Sequence, residues 1–245
     1  MLVAPTAGVT AQVNIERLRL TPVEHGFGFV AGADFTWRTG NVDHLKFDLT
    51  GRIDFDSDLV HVFAVANGDF GWVDGDAFSN EALAHLREVF RPRHAVQVEA
   101  FQQTNYDKSR ALESRYLVGG GPRFRLMASD QIRAWLGTGY MLEYERLDLP
   151  EDAAHPDEGT YHRWSNYLSV RAELSESSVL QWTGYLQPRF DAFQDLRALS
   201  DVQLGLRIVG QLSLNVLFFL RYDAEPPDGV ASLDTALKTG LSFEI

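Results

Sequence analysis

Residues 44–55, HLKFDLTGRIDF, decide the fold. His44, Lys46, Asp48, Thr50, Arg52 and Asp54 take every second place; Leu45, Phe47, Leu49, Gly51, Ile53 and Phe55 fill the places between. Side chains of an extended chain point alternately to opposite faces, so this stretch has one charged wall and one apolar wall.

The same period of two recurs along the chain. Twelve segments carry it, roughly 26–38, 42–55, 59–72, 79–90, 94–106, 112–126, 131–145, 161–175, 178–190, 198–209, 211–223 and 233–245. Each is long enough for a tilted strand to cross a bilayer, which takes about 9–11 residues. The pattern predicts an all-β chain, a twelve-stranded antiparallel transmembrane β-barrel of the outer-membrane type, whose even count lets the first and last strands close. Connections after even-numbered segments, around Asp56, Pro92, Ser129, Glu176 and Gly210, are tight, whereas Val73–Phe78, Arg146–Thr160 and Ala224–Ser232 are longer. Barrels of this kind have short periplasmic turns and longer outside loops, which puts both termini in the periplasm.

Parity then sorts the side chains. Outward and near the outer rim fall Trp37, Phe70, Trp72, Tyr106, Tyr144, Trp164, Phe190 and Tyr222; near the inner rim fall Phe27, Phe55, Phe90, Phe124 and Phe243. Between these girdles lie smaller groups such as Leu45, Val62, Ala64, Val118, Leu136, Val170, Leu204 and Val216. Aromatic rings favour the membrane interface, where one edge is apolar and the other wet. Inward parity collects Asp34, Lys46, Arg52, Glu99, Arg115, Arg123, Arg133, Glu143, Arg171, Arg207, Arg221 and Lys238, charges of both signs as a polar barrel interior requires. A soluble ligand-binding barrel would be apolar inside and polar outside. The fourth segment fits least well: Leu83 and Val89 point inward and Glu88 outward, while Pro122 and Pro188 each remove a ladder donor elsewhere.

Composition narrows the function classes. A net charge of −12 over 245 residues offers no basic surplus for nucleic acid, and no apolar run is long enough for a membrane helix. The chain has no cysteine, which excludes disulfides and thiolate metal sites and suits an envelope compartment. Residues 1–11 read as a remnant of an export signal or a tail, with Val9, Thr10 and Ala11 before Gln12 shaped like a cleavage site. Residues 12–25 read as a periplasmic N-terminal segment and 26–245 as one barrel domain. The last eight residues, with Lys238, Gly240, Phe243 and Ile245 in phase, look like the closing-strand signal that barrel-assembly machinery reads through backbone pairing and apolar anchors.

The segments VNIERLR (13–19), WRTGNVDHL (37–45), NEALAHLR (80–87), RWSNYLSVR (163–171), YLQPRFDAFQDLRALSD (185–201) and RYDAEPPDGV (221–230) resemble the YdiY-like family of outer-membrane proteins labelled salt-induced. The resemblance implies a β-barrel in the outer membrane of a Gram-negative bacterium. It brings no catalytic or ligand residues.

Two readings of the lumen stand side by side: a narrow, weakly selective passive channel for small polar solutes, and a closed envelope-structural barrel stapled by its charges. A simple hairpin register sets Arg115 against Glu143 and Asp34 against Lys46. The same register sets Gly119 and Gly121 against Gly139 and Gly137, a patch that lets the sheet bend or receives an inserted group. The alternative from another class is a barrel enzyme acting on lipid or lipopolysaccharide, for which Ser114 and His162 are the candidates at about 9–10 Å across one intervening strand. No cofactor, metal ligand or catalytic residue is expected. Acidic outer loops, including Asp148, Glu151, Asp152, Asp157 and Glu158 beside His155, would take divalent cations bridging to lipopolysaccharide. A monomer is expected, with membrane lipids as its surroundings.

Overall fold

The computed structural model describes residues 26–91, 95–210 and 212–243; side chains of 242 and 243 are outside the description. The expectations for segments 1–11 and 12–25, and the terminal anchors Phe243 and Ile245, therefore lie outside the described side chains. The strands are β1 (Gly26–Arg38), β2 (His44–Asp56), β3 (Val60–Val73), β4 (Asp76–Phe90), β5 (Val96–Asp107) and β6 (Leu112–Ala128). They continue with β7 (Ile132–Leu147), β8 (Glu158–Ser175), β9 (Ser178–Pro188), β10 (Leu196–Val209), β11 (Leu212–Asp223) and β12 (Leu233–Phe243). All twelve lie in chain order in one sheet, each antiparallel to the next.

Curvature follows from contacts that a flat sheet forbids. Strands β5 and β8 would stand about 14 Å apart at 4.7–4.9 Å per spacing, yet the Tyr167 hydroxyl donates to Glu99 Oε2 at 2.8 Å. Glycines make this approach possible. A Cβ on Gly121 would sit 2.2 Å from the Thr138 carbonyl oxygen, and one on Gly139 would sit 2.3 Å from that of Gly120. Strands β6 and β7 are thus pressed together where they carry no side chains, and the freed volume is taken by two rings. Tyr167 lies over Gly137 and Phe101 over Gly119.

Burial separates the walls as parity requires. On β3, His61, Phe63, Val65 and Asp69 are buried while Ala66 is exposed. On β4 the inward Leu83 and Val89 are 3% and 1% exposed, and Glu88 is exposed on the outside. The difficult fourth segment is a regular strand whose inner face is partly apolar, so the interior is a mixed core and not a uniformly charged one.

Three details differ from expectation. The β3–β4 connection is a two-residue hairpin, Asp74-Gly75, both with positive φ (53° and 93°), instead of a loop from Val73 to Phe78. An Asp-Gly pair suits the primed turn whose twist matches the flanking strands, and that local signal outweighs the rule of long outer loops. The register between β6 and β7 is shifted by two residues: Arg115 is opposite Glu145 and Leu117 opposite Glu143, with bulges near both ends of the ladder. Asp34 faces Asp48, and Lys46 faces Thr36, because β1 and β2 pair over their full lengths from Gly26–Asp56 to Arg38–His44. Finally, no β1–β12 ladder occurs among the described residues, where closure was expected. Across the interior, Arg110 in the short turn Lys108–Arg110 before β6 forms an ion pair with Asp234 on β12.

Candidate functional site

The site is the inner wall, and its chemistry resolves into clusters at different heights. The densest lies toward the long-loop end. Arg115 on β6 donates from Nε and Nη2 to Glu145 Oε2 at 3.2 and 2.6 Å, and its Nε is ion-paired with Glu143 Oε1 at 2.9 Å. Arg163 on β8 donates from Nε to Glu143 Oε2 at 2.7 Å and from Nη1 to Asp195 Oδ1 at 3.1 Å. Arg197 on β10 reaches over β8 and β9 to Glu143, holds Glu145 at 3.2 Å, and holds Asp223 on β11 at 2.9 Å. Arg163, Glu143 and Glu145 are at most 2% exposed. Buried charges survive only when paired and hydrogen-bonded. These five strands are therefore stapled from inside.

A second cluster sits behind the glycine patch. Glu99 takes Arg87 Nη1 at 3.2 Å, Arg123 Nη1 at 3.5 Å and the Tyr167 hydroxyl. Arg87 lies over the Phe101 ring at 5.1 Å and Arg123 over Trp135 at 4.2 Å, so both guanidinium planes are shielded by aromatic faces. The third cluster belongs to β2 and β3: Arg52 Nη2 and His61 Nε2 share Asp54 at 2.6 and 3.1 Å, and Lys46 bridges Asp48 and Asp69 at 2.9 and 3.1 Å.

The remaining lumen candidates are not gathered in. Asp34, Arg133 and Arg207 are exposed. Arg171 is 3.6 Å from Glu173, and Lys238 Nζ stands over the Phe219 ring at 5.7 Å. Arg221 is buried. Arg115 and Arg133 fall at opposite ends of their strands, opposite Glu145 and Ala128 respectively, so they do not act together on one constriction.

Of the aromatic positions, Phe27 and Trp37 are 83% and 70% exposed. Phe55, Phe90, Trp164, Phe190 and Tyr222 are exposed as well, while Phe70, Trp72, Tyr106, Phe124 and Tyr144 are half-buried. The Tyr106 hydroxyl donates to Asn80. Further exposed rings, Phe29, Phe35, Tyr116 and Tyr140 among them, extend the apolar exterior between the rims.

Ser114 and His162 form no dyad. His162 is opposite Leu142, and Leu142 opposite Val118, four residues along β6 from Ser114. That adds about 13 Å of strand rise at about 3.3 Å per residue to the two strand spacings, which overturns the expected 9–10 Å. The His162 ring nitrogen is instead engaged by the Tyr140 hydroxyl.

At the long-loop end the loops contact one another. The His155 backbone N–H donates to Asp228 Oδ2 at 2.7 Å, joining the β7–β8 and β11–β12 loops. Arg189, just beyond β9, forks onto Asp191 and also reaches Asp195 Oδ2 at 3.0 Å. The hydrogen bonds to Asp191 hold the Arg189 guanidinium above its ordinary range and, reciprocally, hold the Asp191 carboxyl below its own. Among the described residues no group of three or more His, Asp or Glu is placed to hold a metal ion.

Sequence reasoning missed Arg163, Asp195 and Arg197 as lumen residues. Their signal was present, because all three fall inside the segments 163–171 and 185–201 that carry the family resemblance. What it could not supply was the fold of the β9–β10 loop, which carries Asp195 back under Arg163.

A family model described as a protein of unknown function, DUF481, matches residues 31–245. The chain belongs to this DUF481 family. No curated protein matches it. Among solved structures, this DUF481 chain is similar to the NanC porin at 12% identity, over 89% of this chain and 99% of that one, with a TM-score of 0.46. It is also similar to a FadL homologue of Pseudomonas aeruginosa at 9% identity, over 89% of this chain and 73% of that one, with a TM-score of 0.41. These two likenesses are distant.

Proposed function

We propose that the chain is an outer-membrane barrel whose interior leaves a narrow, weakly selective passive path for small polar solutes along the β1–β2 and β11–β12 wall. The observation that carries this reading is the uneven covering of the inner face. On β5 to β8 the inward charges Glu99, Arg115, Arg123, Glu143 and Arg163 are buried, and the first two clusters cover that side of the inner face. On β1 the inward-parity residues Val30 and Asp34 are exposed, Val30 by 66%, and β12 is exposed over most of its length. Solute able to pass would meet Asp34, Asp48, Lys46 and Lys238, charges of both signs, hence weak selectivity.

The membrane placement rests on the exterior. Phe27, Phe29, Phe35, Trp37, Leu49, Ile53, Val98, Val118, Leu237 and Leu241 are exposed on the outward parity, far more apolar surface than a soluble monomer leaves to water. The partners that fit are membrane lipid and lipopolysaccharide, with divalent cations at the acidic loops and barrel-assembly machinery during biogenesis. Both termini then lie in the periplasm. The finer YdiY-like, salt-induced label rests on the quoted segments alone.

Planar-bilayer recording of the refolded protein tests the reading. We expect small steps of current, with Lys238→Glu moving the reversal potential toward cation preference and Asp34→Lys moving it toward anions. Absence of current from the parent would favour a closed structural barrel. Current indifferent to both substitutions would move the path away from this wall.

A further inference from the structure

Toward the long-loop end of the interior, four arginines line one cavity of about 20 Å³: Arg110, Arg115, Arg197 and Arg221. Three of them are matched to carboxylates. Arg115 and Arg197 hold Glu143 and Glu145, Arg197 also holds Asp223, and Arg110 holds Asp107 at 3.5 Å and Asp234. Arg221 is different. It is 6% exposed, its Nε has no hydrogen-bond partner, and among the described residues it has no ion pair. Its neighbour across the ladder is Asp234, and that carboxylate is turned to Arg110 instead. Asp201, Glu81 and Asp107 act on it only through space, while Arg110 repels it.

A guanidinium taken out of water without an acceptor carries a large desolvation penalty, and such a group is retained where something supplies the missing contact. We propose that Arg221 is the floor of an anion site. The cavity has room for about one water-sized body, which matches a monatomic anion or a single carboxylate oxygen entering from the mouth. A water would satisfy the N–H but leave the charge unmatched beside a second guanidinium. An anion does both, and the planar fork of arginine suits it. The chemistry shared by the two sources, a free halide and the carboxylate end of a solute, is one compact negative centre held by Arg221 with Arg110 alongside. Binding here does not depend on whether the lumen conducts.

The test is twofold. Crystals soaked in sodium bromide should show an anomalous peak within hydrogen-bond distance of the Arg221 guanidinium; density without anomalous signal, as from an ordered water, would overturn the proposal. In detergent, the heat-modification midpoint of the parent should be higher in sodium chloride than in sodium methanesulfonate, a weak hydrogen-bond acceptor without a carboxylate, at equal ionic strength. A matching rise in sodium acetate would point to a carboxylate, and a rise in chloride alone to a halide. Arg221→Gln should abolish the difference between salts, and Arg207→Gln, at an exposed position, should keep it. If Arg221→Gln does not assemble, Arg221→Lys, which keeps the charge but loses the fork, should retain a reduced difference. Equal midpoints for the parent in all three salts, or a full chloride response in Arg221→Gln, would sink the idea.

Discussion

Replacing Glu143 by Gln is the sharpest probe of the internal staple. Glu143 is 1% exposed and is ion-paired with Arg115, Arg163 and Arg197, guanidinium groups from three strands on one carboxylate. Removing a partner from a buried ion pair costs about 3–5 kcal/mol because the other charge stays buried. Here each arginine keeps a second acid: Glu145 for Arg115, Asp195 for Arg163, and both Glu145 and Asp223 for Arg197. The lower end, about 3 kcal/mol, is therefore expected. In urea-induced unfolding from lipid vesicles, followed by tryptophan fluorescence, a slope of about 3 kcal/mol per molar turns this into a midpoint lower by about 1 M. Arg197→Met combined with Glu143→Gln should lose less than the two single changes added, since they break one shared contact. Asp34→Asn, at an exposed position, should stay within about 0.5 kcal/mol of the parent. A Glu143→Gln midpoint no lower than that of Asp34→Asn would refute the idea that this carboxylate holds the strands together.

Other outcomes follow from the same geometry. Ala66, exposed in the middle of β3 opposite Gly51 and Ala84, should tolerate Arg worst, at about 2–4 kcal/mol, whereas Val62→Arg beside Phe55 and Glu88 near the strand end should cost only about 0–1 kcal/mol; vesicle refolding titrations giving equal losses would mean the depth assignment is wrong. Gly121→Ala should leave little heat-modifiable species on gels, because its methyl would meet the backbone oxygen of Thr138 at 2.2 Å; Gly210→Ala at the open turn, where φ is +55° and nothing lies within 4 Å, should assemble, and parity between the two would refute the close-packing argument. The Asp191–Arg189 contact has a depressed carboxyl, so its contribution is complete above the ordinary carboxylate range and fades only as pH falls through the lowered folded value; hydrogen exchange in residues 189–195, divided by the intrinsic rate at each pH, should rise at strongly acid pH and stay flat from mildly acid pH upward. A rise already complete at mildly acid pH would show that Arg189 does not hold Asp191.

The sequence by itself determined the strands and their faces. Parity is a property of neighbouring residues, so His44 to Phe55 declares its two walls without reference to any other strand, and the awkward Leu83, Glu88 and Val89 could be placed correctly by the same rule. Tertiary structure decided everything that depends on how two strands slide past each other. The β6–β7 hairpin turns between Ala128 and Arg133, and with the bulge near Arg125 this sets Arg115 opposite Glu145 and not Glu143. It also decided which charges meet. Arg197 and Glu143 are far apart along the chain and three strands apart in the sheet, and they touch because the sheet curls and their long side chains meet on its inner face. Arg221 is the same lesson in reverse: its parity was legible, but only the fold shows that its neighbour's carboxylate is turned to Arg110 and leaves the Arg221 Nε without a hydrogen-bond partner among the described residues.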